Sequence, residues 1–436
     1  MGRFDVWTAL TLLLTGPRRL FATRFPAYSR PTESRTILAM ALLASIDCAA
    51  SVTIPCWQAY AAGPNAPSPA FQAAKPGYLF NFPFDHGAHP AFKTEWWYYT
   101  GHLQTDSGRR FGYQVTFFRR GIRRNPETFA PSRSKWRLDD LYFAHLALSD
   151  LQPGRFYFFD VISREGLGKA GAEKGRLHVW LDRWRAEMPH GSSDRHRLTA
   201  EGRTEGTDAH NGLPSIGLDL ELTPLKPPVI HGADGVSRKG ADPLQASHYY
   251  SLTRLATSGA LTLEGHTMPV TGLSWMDHEF GSGDLSSDLT GWDWFSMQLE
   301  SGEELMLYQL RRSDGLPDAA SSGTWVDQAG RSRHLTGESI RIEVLDHWKS
   351  PHSNASYPSR WRVSIPPLGA VLEVIPLLPD QELLTERSTG ITYWEGAARM
   401  SGALGDRPIT GRGYVELTGY AEPYRPGQRS GFETTP

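Results

Sequence analysis

From Pro83 to Gly419 the chain is a succession of short, strand-length runs punctuated by glycines. In Tyr113-Gln114-Val115-Thr116-Phe117 apolar side chains take every second position, the period of a strand with one face buried. Leu305-Met306-Leu307-Tyr308-Gln309-Leu310 is a second run of strand length, and no stretch keeps a helical period over several turns. The pattern predicts an all-β protein. Val161 to Gly212, dense in charge, reads as a long hairpin or a loop insertion, and Leu213 to Pro243 gathers turn residues that predict the boundary between two halves.

An internal repeat supports two halves. Trp96-Trp97-Tyr98-Tyr99-Thr100-Gly101-His102-Leu103 matches Trp292-Asp293-Trp294-Phe295-Ser296-Met297-Gln298-Leu299 at most aromatic and apolar positions. Each is followed by a turn with Gly108 or Gly302, then by a strand from Phe111 or Leu305 that ends in Arg119-Arg120 or Arg311-Arg312. Two hairpins with one pattern predict a duplicated β-domain. Closure of such sheets removes exposed edges, so tandem lipocalin-like β-barrels are the expected architecture, with a pair of open sandwiches as the alternative. The expected boundaries are 81–235 for the first domain, 236–425 for the second and 426–436 for a tail.

The first 61 residues differ from the rest. Arg35 precedes an apolar run from Ile37 to Ile46, and Ala59-Tyr60-Ala61 supplies the small-x-small pattern of a cleavage site, which predicts export to the periplasm or medium. An earlier run, Val6 to Leu14, and Met40 leave the true start open. Neither run has the roughly 20 apolar residues of a spanning helix. Residues 62–80 read as a linker, and both cysteines, Cys48 and Cys56, precede the expected cut, so disulfides have no expected role in the mature chain. A net charge of −2 gives no field to attract a polyanion, and nucleic acid is not an expected partner. The 14 Trp, 16 Tyr and 19 Phe exceed what a routine core requires and suggest an aromatic-lined pocket.

The chemical signal lies in Gly272-Leu273-Ser274-Trp275-Met276-Asp277-His278-Glu279-Phe280-Gly281. On a strand, alternation puts Trp275, Asp277 and Glu279 on one face and His278 on the other. That geometry disfavours an Asp-His-Glu metal triad. It places an acid beside an aromatic face, where a donated proton creates a cation that the ring can stabilise. A carboxylate bonded to backbone N–H groups or arginines is the structural alternative.

Several strings carry a family resemblance. Phe92-Lys93-Thr94-Glu95-Trp96-Trp97-Tyr98-Tyr99-Thr100-Gly101-His102-Leu103, Tyr249-Tyr250-Ser251-Leu252-Thr253-Arg254, Trp275-Met276-Asp277-His278-Glu279 and Gly291-Trp292-Asp293-Trp294-Phe295-Ser296 resemble the AttH and carotenoid 1,2-hydratase (hydroxyneurosporene synthase) family. Tyr393-Trp394-Glu395-Gly396 and the run from Gly411 to Tyr420 fit it as well. The resemblance implies two lipocalin-like domains and, in the hydratase branch, cofactor-independent addition of water across a terminal C=C bond. It implies Asp277 as the acid, supported by a His-x-aromatic pair, His248 and Tyr250, and by the preceding aromatic Trp275. The hydratase pattern has tryptophan where this chain has Tyr250 and tyrosine where it has Trp275. Export matches the secreted AttH-like branch, whose members are often labelled secreted hydrolases.

Trp96, Tyr98, Trp292, Trp294 and Glu279 are the candidates for contacting a ligand. His86 and His89 form a bare His-x-x-His pair with no third ligand evident nearby, and no metal is expected. Gly-x-Ser-x-Gly is absent, and the glycines around the acidic motif lack a phosphate-cradling spacing. Two classes stand: an enzyme acting through Asp277 on an apolar small molecule, and a carrier using the same cavity without chemistry in the service of a membrane transporter.

Overall fold

The computed structural model describes residues 71–122, 138–189, 191–192, 194–202 and 215–423. The expected export signal, both cysteines and the tail lie outside them.

The alternating runs become antiparallel strands. A first sheet of 13 strands contains β1 (Thr94–Thr105), β2 (Arg110–Gly121), β3 (Asp140–Asp150), β4 (Arg155–Arg164), β5 (Ala170–Ala172), β6 (His178–Leu181), β7 (Trp184–Glu187), β8 (His196–Gly202), β9 (Ile216–Pro224), β10 (Val229–Ile230), β11 (Ser237–Arg238), β12 (Ala246–Leu263) and β13 (His266–Gly281). A second of 10 contains β14 (Leu289–Leu299), β15 (Glu304–Arg312), β16 (Ser322–Val326), β17 (Ser332–Thr336), β18 (Arg341–Lys349), β19 (Ser356–Ile365), β20 (Ala370–Pro376), β21 (Glu382–Leu384), β22 (Thr392–Leu404) and β23 (Arg407–Thr418). The first sheet is a nearly closed barrel and the second a half-barrel, which together match two lipocalin-like barrels. The charged stretch after Val161 is neither one hairpin nor one loop in its described part, but the short strands β5 to β8.

The sheets repeat one topology. The order β4-β3-β2-β1-β13-β12-β9-β8-β7 in the first is followed step for step by β17-β16-β15-β14-β23-β22-β20-β19-β18 in the second. The Trp96 and Trp292 hairpins thus occupy equivalent places, each flanked by the last long strand of its own half. By sheet membership the division falls between Gly281 and Leu289, and a boundary at 235/236 is displaced. The turn-rich stretch before Pro243 misleads because β12 and β13 come after it and still return to pair with β1.

The three largest cores among the described residues follow from side-chain alternation. One face of β1, β12 and β13 fills the first barrel with Trp97, Tyr99, Tyr250, Leu252 and Met276. One face of β14, β22 and β23 fills the second with Phe295, Met297, Trp394, Val415 and Leu417. The remaining faces meet between the sheets, where Tyr98, Tyr249, Trp275, Trp294, Tyr308 and Tyr414 are buried together. At about 1.5–3 kcal/mol per buried large side chain, these six contribute on the order of 10 kcal/mol before ordering costs, enough to hold the halves as one body. Direct bonds add to this: His102 Nε2 lies 3.0 Å from the Gly413 carbonyl, and Gln298 Nε2 donates to the carbonyls of Thr253 and Ser274 at 2.8 and 2.9 Å. Gly112 permits the approach, since a Cβ there would stand 2.6 Å from the Tyr414 hydroxyl.

Candidate functional site

The C-terminal half of β13 is buried on both faces, one lining the barrel and the other lying against the second sheet. Polar residues there must find partners, because an unpaired buried polar group costs roughly 1–3 kcal/mol. The two faces solve this separately.

On the interface face, Asp277 accepts from Trp275 Nε1 at 2.6 Å, from the Tyr249 hydroxyl at 2.8 Å and from the Ser251 hydroxyl. Tyr249 in turn accepts from Trp294 Nε1 at 3.1 Å, and Ser251 lies 2.6 Å from His231 Nε2. His231 is buried and its pKa is lowered by that burial to about 3, so it is neutral. Burial raises the pKa of Asp277 to about 7; the Ser251, Trp275 and Tyr249 donors oppose the rise, and the charge of Glu279 adds to it. Near neutral pH this carboxyl therefore exists in both forms, the condition for giving and regaining a proton. Glu279 accepts from Ser247 and pairs with Lys239 Nζ at 2.9 Å. The Lys239 ammonium also lies 4.6 Å from the Tyr308 ring centre and 5.5 Å from that of Tyr249.

The second sheet brings Trp292, Trp294, Glu395 and Glu416 to the same space. Tyr98 donates to Glu395, bridging the sheets, and packs edge-on to Trp294 with ring centres 5.3 Å apart. A cleft of about 130 Å³ is lined in part by Val236, Tyr308, Ser321 and His334. It is smaller than the roughly 300–1,000 Å³ of a drug-sized ligand site.

The barrel face carries a second polar network. Glu95 Oε1 lies within 2.9 Å of His89 Nδ1 and His278 Nε2, and Glu95 Oε2 accepts from Arg119 Nε at 2.9 Å. Burial alone would raise the Glu95 pKa, but Arg119 and the two imidazoles hold it well below the usual carboxylate range. Tyr250 bonds to His278 Nδ1 at 3.0 Å and His86 Nδ1 at 2.7 Å. His89, Glu95 and His278 offer donor atoms within 4.8 Å of one another, a candidate metal group that the bare His86/His89 spacing does not reveal. These donors are already committed to one another and to Arg119, the arrangement of a buried ion-pair network.

The structure thus joins Asp277, Trp275 and Glu279, and brings Trp96, Tyr98, Trp292 and Trp294 into or against the same aromatic cluster. It does not join His248 and Tyr250 to Asp277. Both lie on the opposite face of β12: His248 bonds to the Gly235 carbonyl at 3.0 Å and stacks on Tyr78, and Tyr250 points into the barrel. The physical reason is register. Ser251 pairs with Asp277, so alternation sends Tyr249 and Ser251 to the acid and turns His248 and Tyr250 away. Tyr249 and Ser251 could have been found from that alternation once the pairing was known. His231 and Lys239, in short irregular segments, carry no local signal.

The sequence matches the AttH-like family across residues 73–420. A crystal structure of a Nitrosomonas europaea protein described as an AttH is similar at 35% identity and a TM-score of 0.68, covering 80% of this chain and 100% of that one. Kievitone hydratase from Nectria haematococca is similar in fold at 14% identity and a TM-score of 0.59, covering 82% of this chain and 98% of that one. Among curated proteins none matches.

Proposed function

The chain belongs to the AttH-like family, and we propose that it hydrates a carbon–carbon double bond of an apolar, isoprenoid-type molecule at the interface of its two sheets, with Asp277 as the acid. The observation that carries this reading is a fully buried carboxyl, raised to about 7, set among Trp275, Tyr249 and Trp294. A structural carboxylate gains nothing from being kept half-protonated, whereas a general acid requires it.

In the reaction, the π electrons of the double bond take the proton from Asp277, forming a C–H bond and leaving a carboxylate and a carbocation. The indole and phenol faces around Asp277 stabilise the cation. A water oxygen then forms the C–O bond and loses a proton, so that substrate and water alone balance the step and no cofactor is required. That kievitone hydratase shares the fold agrees with this reaction class. The carotenoid branch makes a terminal isoprenoid alkene the first substrate class to try, and the N-terminal apolar run supports a site of action outside the cytoplasm.

A carrier is the second reading, favoured by the fact that both oxygens of Asp277 already have protein partners. The test is to incubate the full chain with squalene or lycopene micelles in oxygen-18 water and to measure both binding and products. The enzyme reading expects a labelled alcohol with the wild type, and retained binding with no alcohol from Asp277→Asn. Equal binding by both proteins with no alcohol from either selects the carrier.

A further inference from the structure

Glu416 holds in the second sheet the place that Asp277 holds in the first. The hairpin repeat aligns Tyr98 with Trp294; Tyr98 is in register with Asp277, and Trp294 with Glu416. On the other side, Ser251 is in register with Asp277 and Glu395 with Glu416. Their neighbours Met276, Leu417 and Trp394 face the two barrel interiors, so alternation turns Asp277, Glu395 and Glu416 toward the opposing sheet. The duplication has thus set carboxyl groups against one another across the interface.

Glu395 and Glu416 are directly opposite in an antiparallel pair, where side-chain roots stand about 5 Å apart; Glu395 is buried and Glu416 partly buried. Two carboxylates so placed do not both ionise near neutral pH. Burial, and then Glu416, holds Glu395 well above the usual range, whereas burial raises Glu416 only to about 7, opposed by bonds from Thr418 and Trp292. Beside them, Thr100 Oγ1 and Gln114 Oε1 are buried polar atoms without a protein partner. Thr100 is in register with Trp275 on one side and Gln114 on the other, and the Gln114 amide bonds to Tyr393, two residues from Glu395. Unpartnered atoms of this kind are what a bound water or hydroxyl satisfies.

We propose that Glu416, with Glu395 beside it, is the base of the reaction whose acid is Asp277, taking the proton released when water adds to the double bond. This rests on the reading of Asp277 as the acid. Asp277 gives a proton to carbon, the water held by Thr100 and Gln114 forms the C–O bond, and its surplus proton passes to the Glu416 carboxylate. The proton then returns to Asp277, restoring both groups. Tyr98, bonded to Glu395 and in register with Asp277, stands between them.

The experiment is the pH profile of squalene hydration by the full chain and by Asp277→Asn and Glu416→Gln, with circular dichroism to confirm folding. The wild type is expected to peak near neutrality, because the acid must be protonated and the base ionised. Glu416→Gln is expected to lose about 10²–10⁴-fold in kcat and to lose the fall in rate on the acid side of the optimum, while squalene binding persists. A folded Glu416→Gln with the wild-type kcat and profile overturns the base, leaving the acid in place if Asp277→Asn is dead. An active Asp277→Asn, or no hydration by the wild type, overturns the reading of the acid and this inference with it. Should Glu416→Gln fail to fold, Glu416→Asp decides: a lowered kcat with both limbs kept supports the base, and an unchanged kcat refutes it.

Discussion

The indole Nε1 of Trp275 donates a 2.6 Å hydrogen bond to Oδ1 of Asp277, its neighbour two residues along β13. The same ring lies edge-on to Trp294 with centres 6.3 Å apart. Trp275 therefore does two opposed things to the acid: its N–H favours the carboxylate, while its bulk helps exclude the water that would favour it more.

Trp275→Phe removes the donor and keeps most of the apolar bulk. The pKa of Asp277 is expected to move above its value of about 7, by an amount set by a net hydrogen bond of about 1.5–3 kcal/mol to a charged group. Ser251→Ala shifts it in the same direction. The measurement is the midpoint of the Asp277 carbon-13 carboxyl resonance in each variant, and a downward shift would refute the assignment of these residues as donors to the ionised form.

Asp277 also ties stability to pH. Its pKa is raised from 3.8 to about 7 by folding, so its contribution is fully present below about pH 4 and is lost as pH rises to 7. Asp277→Asn lacks this titration. Relative to the wild type, the variant is expected to gain stability at up to about 1.4 kcal/mol per pH unit over that window and to level off above it. Urea unfolding of both proteins between pH 4 and 8 reads the difference, and parallel curves would contradict it.

Strand periodicity and the hairpin repeat made the all-β fold, the duplicated topology and the face shared by Trp275, Asp277 and Glu279 legible in the sequence. What alternation could not supply was register between distant strands. Without the pairing of Ser251 with Asp277, the string from His248 to Ser251 has two faces of equal appeal, and the face with His248 and Tyr250 is the one turned away. Glu416 was hidden for the same reason, since the repeat was visible in the aromatic hairpins and not in β13 and β23, where Asp277 aligns with a residue one methylene longer. The role of Glu95 was hidden likewise, because only the pairing of β1 with β2 sets Arg119 beside it.

Arg119 is the cation that permits Glu95 in the barrel, and it also bonds Asp140 at 2.9 Å. Arg119→Met leaves a buried carboxylate with only two imidazoles and the His89 backbone N–H as partners and is expected to cost about 3–5 kcal/mol. The double variant Glu95→Gln with Arg119→Met recovers part of that loss. Chemical denaturation of the three proteins checks this, and additive losses in the double variant would show that the pair does not act as a unit.

Burial at the interface keeps the Asp277 carboxyl exchangeable near neutral pH. The most direct test is titration of the protonated-carboxyl infrared band, taken as the difference between the wild type and Asp277→Asn across pH 4 to 9. A midpoint near 7 is the expected result. A midpoint near 4, that of an ordinary aspartate, would contradict the account.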